Sequence, residues 1–150
     1  MIIDIIKTCA VILSMDMAEV WKWVERLQAD PSGVATAEKE GVFDEFIPTH
    51  WSNLIKKRPP FAEVCSRHGG WLNYSERDWA SLLCDCPQYA FQCSEYGGWT
   101  YMNGFYWRRL LSFQPVLAGY CSRYNGWAKM CRDDILKLIS EHSDLSKYFN

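Results

Sequence analysis

The stretch WASLLCDCPQYAFQCSEYGGW, Trp79–Trp99, decides the fold, because close copies of it lie on either side. The preceding copy is WSNLIKKRPPFAEVCSRHGGW, Trp51–Trp71, and the following copy is WRRLLSFQPVLAGYCSRYNGW, Trp107–Trp127. The copies align at one constant offset without insertion or deletion, which indicates an internal repeat. The identical positions are Trp51, Trp79 and Trp107; Leu54, Leu82 and Leu110; Pro59, Pro87 and Pro115; Ala62, Ala90 and Ala118; and Cys65, Cys93 and Cys121.

Each copy is typical of two short helices joined at a proline. Ser75 and Asp78 have the spacing of a capping box at a helix N-terminus. Pro87 ends the first helix and suits the first turn of the second. Gly97 closes the second helix, at a position that favours Gly or Asn. Turns are therefore expected near 56–59, 84–87 and 112–115. The predicted core of the central copy, with counterparts at the equivalent positions of the flanking copies, is Trp79, Leu82, Leu83, Tyr89, Ala90 and Cys93.

Helices of about ten residues are unstable alone in water, so each hairpin must bury its apolar faces against its neighbours. The sequence therefore predicts an all-α fold, an α-solenoid of stacked two-helix hairpin repeats with a 28-residue period. The whole chain, 1–150, is expected to be one repeat domain. Its predicted parts are an N-terminal half-repeat cap at 1–14 with a helix at 2–13, a degenerate repeat at 15–42, full repeats at 43–70, 71–98 and 99–126, and a C-terminal capping repeat at 127–150.

Composition narrows the class of protein further. The net charge of −2 disfavours a protein that coats polyanions, and the 49% hydrophobic fraction indicates a globular chain. No apolar run reaches the ~18–20 residues of a membrane helix, so no membrane association is expected. The first fourteen residues lack the basic start and cleavage site of a signal peptide. With seven cysteines, an odd number, we expect a cytoplasmic protein with reduced thiols.

The pattern W-x-x-L-[LI]-x-x-x-P-x-[FYL]-A-x-x-C resembles a tandem repeat of bacterial, largely gut-associated, proteins, in which similar units recur with an F-A-x-x-C core. The resemblance is strong over 43–126 and weak elsewhere. It implies a repeat architecture and no particular activity, because no chemistry is assigned to that family.

Cysteine and histidine residues are the first candidates for chemistry. The three repeated cysteines lie beside Ala and an aromatic residue, so we expect them to be buried and unreactive. Cys84 is expected to be a partly exposed helix residue that alkylates first, and Cys86 a cap or hinge residue. Together with Cys93 they offer three thiolates for zinc, but the usual ligand spacings and His partners are missing. His50 and His68 are expected to be surface variants of repeat positions.

No nucleophile elbow, P-loop, dinucleotide fingerprint or zincin motif occurs in the sequence. We therefore expect neither an enzyme nor a cofactor or metal. Cys131, which occupies the N-cap position of the last repeat, is expected to be a poor cap.

Charge singles out residues 99–126, which contain three arginines and no acidic residue. By contrast, residues 71–98 carry four acids and one base, and the run Lys56–Arg58 is expected to be solvated. Outward arginines with aromatic neighbours are typical of binding hot spots. The candidate partner-binding residues are Tyr106, Arg108, Arg109, Phe113, Arg123 and Tyr124. The alternative is that these residues form an ordinary solvated helix face without a binding role.

We therefore expect a non-enzymatic protein-interaction module, a monomer or homodimer, that binds or occludes a partner protein. One form of this function would be a phage- or mobile-element-type inhibitor of a bacterial enzyme. The alternative is a nucleic-acid-binding protein that uses 99–126, because arginines and aromatic rings also hold phosphates and stack bases.

Overall fold

A computed structural model describes residues 15–149 of the chain, and over these residues the fold is all-helical without a strand. The predicted all-α class is thus confirmed. The helix predicted at 2–13 lies outside the described residues. The nine α-helices of the described part are α1 (Met17–Ala29), α2 (Val34–Lys39), α3 (Pro48–Lys57), α4 (Phe61–Arg67), α5 (Glu76–Asp85), α6 (Ala90–Glu95), α7 (Gly104–Phe113), α8 (Ala118–Arg123) and α9 (Arg132–Glu141).

Short 3-10 helices connect the α-helices, and the chain divides into two compact units. The N-terminal unit ends at His68 and the C-terminal unit begins at Gly69. Each longer helix, together with the short helix or 3-10 segment that follows it, is termed a hairpin. Within each unit the longer helices pack against one another. In the N-terminal unit α1 packs against α3, and in the C-terminal unit α7 packs against both α5 and α9. The division into repeats stays a prediction from the sequence.

The longer helices end where the sequence predicts turns. Their C-cap residues recur at equivalent positions of the predicted repeat and have similar non-helical backbones, with φ between −132° and −140°. A proline follows four of the five caps, and the residue before a proline avoids the α region. These C-cap residues are Asp30, Arg58, Cys86, Gln114 and His142.

Three of these cap side chains also bind the preceding hairpin. Each donates a hydrogen bond to a backbone carbonyl 30 residues earlier, near the C-terminal end of the neighbouring long helix. The bonds run from Arg58 Nε to the Gln28 oxygen (2.7 Å), from Gln114 Nε2 to the Cys84 oxygen (2.8 Å) and from His142 Nε2 to the Ser112 oxygen (2.8 Å). The prediction of a fully solvated run Lys56–Arg58 is therefore wrong for Arg58, whose guanidinium caps free carbonyls of α1.

The shorter helices end at residues with a left-handed backbone. Gly41, Gly69, Gly97 and Asn125 have φ values of 71°, 66°, 70° and 59°. Only Gly and Asn adopt this conformation readily, which explains why the sequence alternates between these two types here.

The core of the N-terminal unit forms where α1 and α3 meet. Val20, Val24 and Leu27 of α1 are at most 1% exposed, as are Trp51 and Leu54 of α3. The connecting segment contributes two buried aromatic rings, Phe43 and Phe46, which lie 5.2 and 4.8 Å from the Trp51 ring.

The C-terminal unit buries the predicted apolar residues of two successive hairpins. Trp79 and Trp107 are at most 1% exposed, and each is stacked on a second tryptophan from the connector before it. Trp71 lies 5.3 Å from Trp79, and Trp99 lies 5.2 Å from Trp107. Among the predicted core positions and their counterparts in the two flanking full repeats, Ala62 is the exception, because it is only half-buried.

The last hairpin is more open than the others. Leu138 and Leu145 are buried, whereas Ile135, at the position of the buried tryptophans, is half-buried and Leu136 is 52% exposed.

Candidate partner-binding surface

Helix α7 carries most of the candidate residues, and its register decides which of them point outward. Asn103 caps the helix, since its side-chain oxygen accepts a hydrogen bond from the Tyr106 backbone N–H (3.0 Å). Trp107, Leu110 and Leu111 are fully buried and anchor the inner face. The opposite face therefore faces solvent.

The outward face of α7 presents a ridge of three residues. Phe105, Arg109 and Phe113 follow one another at i, i+4 and i+8, a spacing that places side chains on one side of a helix. Phe105 and Phe113 are 66% and 63% exposed, and Arg109 is exposed between them. This ridge joins two large apolar side chains to one guanidinium.

Arg108 has a partner within the chain. Its Nε lies 3.0 Å from the Asp134 Oδ1 of α9, and about a third of each side chain stays exposed. A half-exposed ion pair of this kind contributes at most ~1 kcal/mol to stability. Arg108 therefore connects α7 to α9, and it is the least available arginine of the predicted set.

Arg123 and Tyr124 belong to a separate cluster on α8 and its C-cap. The Tyr124 ring lies 6.2 Å from Trp99, and the Tyr120 ring stacks on Trp99 at 4.9 Å. The Arg123 guanidinium lies 5.8 Å from the Tyr120 ring. The candidate residues thus form two groups, one on α7 and one on α8 with its C-cap. Two members of the α7 group, Tyr106 and Arg109, line a groove.

This groove lies between α5 and α7 and has a volume of about 400 Å³. Two arginines and two aromatic rings surround small side chains. The lining residues are Arg77, Ala80, Ser81, Phe105, Tyr106 and Arg109. Sequence reasoning identified Tyr106 and Arg109 but missed Arg77 and Phe105. The repeat could have revealed them, since Arg77 and Phe105 are one full repeat apart and so occupy equivalent helix positions.

His50 is not a surface residue, contrary to the prediction. It is fully buried, with its ring 4.6 Å from Trp21 and 5.3 Å from Phe46. Its Nδ1 accepts a hydrogen bond from the Ile47 backbone N–H (3.1 Å), while its Nε2 has no hydrogen-bond partner. Burial lowers the pKa of His50, because the apolar surroundings disfavour the charged ring.

The His68 side chain is partly exposed, as predicted. Its side chain is 24% exposed, and Nε2 lies 3.1 Å from a carboxylate oxygen of Glu38. Arg67 binds the same oxygen at 2.8 Å, so Glu38 is shared between two basic side chains.

The repeated cysteines are buried, as predicted. Burial raises the pKa of Cys121 to about 12 and also raises the pKa of the Cys65 and Cys93 thiols. A thiol that stays protonated at neutral pH is a poor nucleophile.

Cys84 is also buried, so the prediction that it is exposed and alkylates first is wrong. The reason is packing, because α5 lies against α7 and the Gln114 side chain binds the Cys84 backbone oxygen (2.8 Å). Cys86 is the C-cap of α5, as predicted. Cys131 is exposed, and its side chain makes no N-cap hydrogen bond. Among the six cysteines of residues 15–149, we therefore expect Cys131 to react first with iodoacetamide, as measured by mass spectrometry of the partly alkylated protein.

Within residues 15–149, no three His, Cys, Asp or Glu side chains are placed to hold a metal ion. None of the helices in this range combines the length and the apolar character needed to cross a membrane. A scan with protein-family models, a search of curated protein sequences and a search of solved structures find no match to the chain.

Proposed function

We propose that the chain is a non-enzymatic protein-interaction module that binds or occludes a partner protein through the outward face of α7. The observation that carries the proposal is the ridge Phe105–Arg109–Phe113. Two phenylalanine side chains that stay nearly two-thirds exposed contribute little to the stability of the fold. Exposed apolar residues on both sides of an arginine are typical of a protein–protein contact.

The availability of Arg109 supports the proposal. Over the described part of the chain, Arg67 and Arg108 form ion pairs and Arg58 caps a helix, whereas Arg109 takes part in none of these contacts. A guanidinium can bind a carboxylate through two parallel hydrogen bonds and can also stack on rings. Arg109 is thus free to serve a partner.

One form of this function is inhibition of a bacterial enzyme by covering its working surface. The resemblance of its repeat to gut-associated bacterial proteins supports this form. Nucleic-acid binding through 99–126 is the alternative, and the four acidic residues of 71–98 oppose it, because they repel a phosphate backbone.

The experiment is affinity capture from the native host with quantitative mass spectrometry, followed by binding measurements with the purified partner. The test variant is Arg109→Ala with Phe113→Ala. The matched control is Glu25→Ala with Lys57→Ala, which changes exposed residues 84 and 56 positions earlier, at equivalent places in the 28-residue frame.

We expect the partner to be lost from the test variant and kept by the control. Loss of hot-spot contacts of this kind weakens binding about thirtyfold or more. An unchanged set of captured proteins with an intact fold would overturn the proposal. Retention on heparin resin, abolished by the test variant, would favour the nucleic-acid alternative, and self-association on gel filtration would identify the partner as a second copy.

A further inference from the structure

The groove between α5 and α7 has the shape and charge of a subsite within the contact surface. Ala80 and Ser81 line the groove on α5, whereas the 28-residue counterparts of these two residues are Arg108 and Arg109. Small side chains on α5 therefore leave open a space that arginines would fill. The volume of about 400 Å³ is at the lower end of the range for ligand pockets.

We propose that this groove binds a carboxylate side chain of an acidic partner segment, held between Arg77 and Arg109. This inference rests on the proposed function, because it assigns the chemistry of the partner at the same surface. Neither arginine forms an ion pair within the described range of the chain. Both are exposed, so each guanidinium can turn toward a bound carboxylate.

Acidic residues near the groove do not neutralise it. Asp78, which follows Arg77, is engaged in the cap of its own helix. Its carboxylate accepts hydrogen bonds from the Ser75 backbone N–H (2.9 Å) and the Ser75 hydroxyl (2.8 Å). Asp134 is held by Arg108 at 3.0 Å. The two lining arginines thus carry positive charge without a lining acid to balance it.

The rings beside the arginines define the rest of the partner segment. Phe105 is 66% exposed and lies 5.3 Å from the Tyr106 ring in an edge-on arrangement. An apolar side chain of the partner next to its carboxylate would cover Phe105. The occupant is therefore an acidic peptide segment in which Asp or Glu alternates with apolar residues.

A carboxylate segment fits better than a nucleic acid. A phosphate backbone needs a continuous run of positive charge, and residues 71–98, which include one wall of the groove, carry a net charge of −3. A partner with one or two carboxylates needs only the two arginines. Charge complementarity at the groove thus selects a protein segment.

The test uses fluorescence anisotropy with the purified full-length chain and three labelled probes. The probes are a short Leu-rich peptide with two Glu residues, each between Leu residues, the same peptide with Gln in place of Glu, and a single-stranded oligonucleotide of similar length. The variants are Arg77→Ala, Arg109→Ala and Ser81→Phe, which fills the groove without changing charge. Lys57→Ala is the control, since it removes one positive charge from the other unit.

We expect the Glu peptide to bind at least about tenfold more tightly than the Gln peptide, since the charge-assisted bonds are lost with Gln. Arg77→Ala, Arg109→Ala and Ser81→Phe should each weaken the Glu peptide by about tenfold or more, and Lys57→Ala should leave it unchanged. The proposal is overturned by undetectable binding of the Glu peptide, by equal binding of the two peptides, by wild-type binding of Ser81→Phe or Arg77→Ala, or by tighter binding of the oligonucleotide. Melting curves exclude unfolding as the cause.

Different results would contradict the interaction-module proposal and the carboxylate-subsite proposal. If capture of the host partner depends on Arg109 and Phe113 but not on Arg77 or on Ser81→Phe, the interaction module stands and the carboxylate subsite is wrong. If capture is insensitive to every one of these substitutions, the proposed function itself is wrong.

Discussion

Helices α3 and α7 have the same length and the same inner face but different outer faces. Each has ten residues, and each buries a Trp and two aliphatic residues at i, i+3 and i+4 to 1% exposure or less. On the outer face, Asn53 and Lys57 of α3 stand where α7 has Arg109 and Phe113. Packing keeps the inner face constant, whereas the solvent-facing side chains of the outer face are free to differ.

The position just before the buried tryptophan shows an intermediate case. In α3 it is His50, fully buried and bonded to the Ile47 backbone, and in α7 it is Tyr106, which is half-buried and lines the groove. In α5 the same position is Asp78, whose carboxylate accepts from the Ser75 backbone N–H. One position of the 28-residue alignment therefore contributes to helix capping in α3 and α5 and lines the candidate groove in α7.

The largest expected effect tests whether the inner faces are equivalent. Trp51→Ala and Trp107→Ala should each lower the free energy of unfolding by about 3–5 kcal/mol, because each removes a fully buried ring and leaves a cavity. Urea denaturation followed by circular dichroism measures both values. A loss below 1 kcal/mol for either variant would show that the two faces are not equally important to packing.

Two glycines of the hairpin that begins with α7 should respond in opposite directions. A Cβ on Gly126 would lie 2.7 Å from the Trp107 ring and 2.7 Å from the Cys121 sulfur, so Gly126→Ala overpacks the core and should cost about 1–3 kcal/mol. Gly119 lies in α8 with nothing within 4 Å of such a Cβ, so Gly119→Ala should stabilise the protein by about 0.5–1 kcal/mol. An unchanged or raised melting temperature of Gly126→Ala would contradict the close approach of Gly126 to Trp107, and a lowered one for Gly119→Ala would contradict the open space at Gly119.

The next prediction concerns pH and distinguishes α3 from α7. The pKa of His50 is lowered by burial from its ordinary value of 6.5, so folding favours the neutral ring. The stabilisation is therefore complete above pH 6.5 and is lost as the pH falls toward the lowered folded-state value. Trp21 and Phe46, the rings in contact with His50, offer no compensating charge.

The variant His50→Gln isolates this effect. Glutamine can accept the Ile47 N–H bond at the third helical position but does not titrate. We expect the free energy of unfolding to fall less steeply below pH 6.5 in the variant than in the wild type. His68 and His142 are present in both proteins, so the difference between the two pH profiles belongs to His50, and identical profiles would show that His50 does not contribute.

The fold was predictable because the 28-residue alignment repeats the residues that dictate it. The buried tryptophans, the prolines after the C-caps and the Gly or Asn residues at positive φ recur at fixed positions. Alignment does not show what packs on the other side of a residue. For that reason the burial of His50 and Cys84 was missed, and so was the bond from Arg58 to a carbonyl 30 residues earlier.

The candidate site was only partly predictable. The outward direction of Tyr106 and Arg109 follows from the helical period, and the structure places both on one groove. The ion pair between Arg108 and Asp134 could not be predicted, because it depends on how far the side chains reach between two stacked helices. Arg77 was passed over because it lies in an acidic repeat, and only the stacking of α5 on α7 brings it to the same groove.

The smallest expected effect on stability is that of substitutions on the outer face of α7. The functional proposal requires that these substitutions leave the fold intact. Arg109→Ala and Phe113→Ala should each change the free energy of unfolding by no more than about 0.5 kcal/mol, because both side chains are exposed and neither is part of the core. Lys57→Ala, the counterpart of the Phe113 substitution on α3, should change it equally little. Urea denaturation of the three variants beside the wild type measures this change in the free energy of unfolding.

A loss above 1 kcal/mol at Arg109 or Phe113 would make the outer face of α7 structural, and weaker partner binding would then reflect partial unfolding. An unchanged stability together with lost binding would instead separate the two faces of one helix, the inner face serving the fold and the outer face serving the partner.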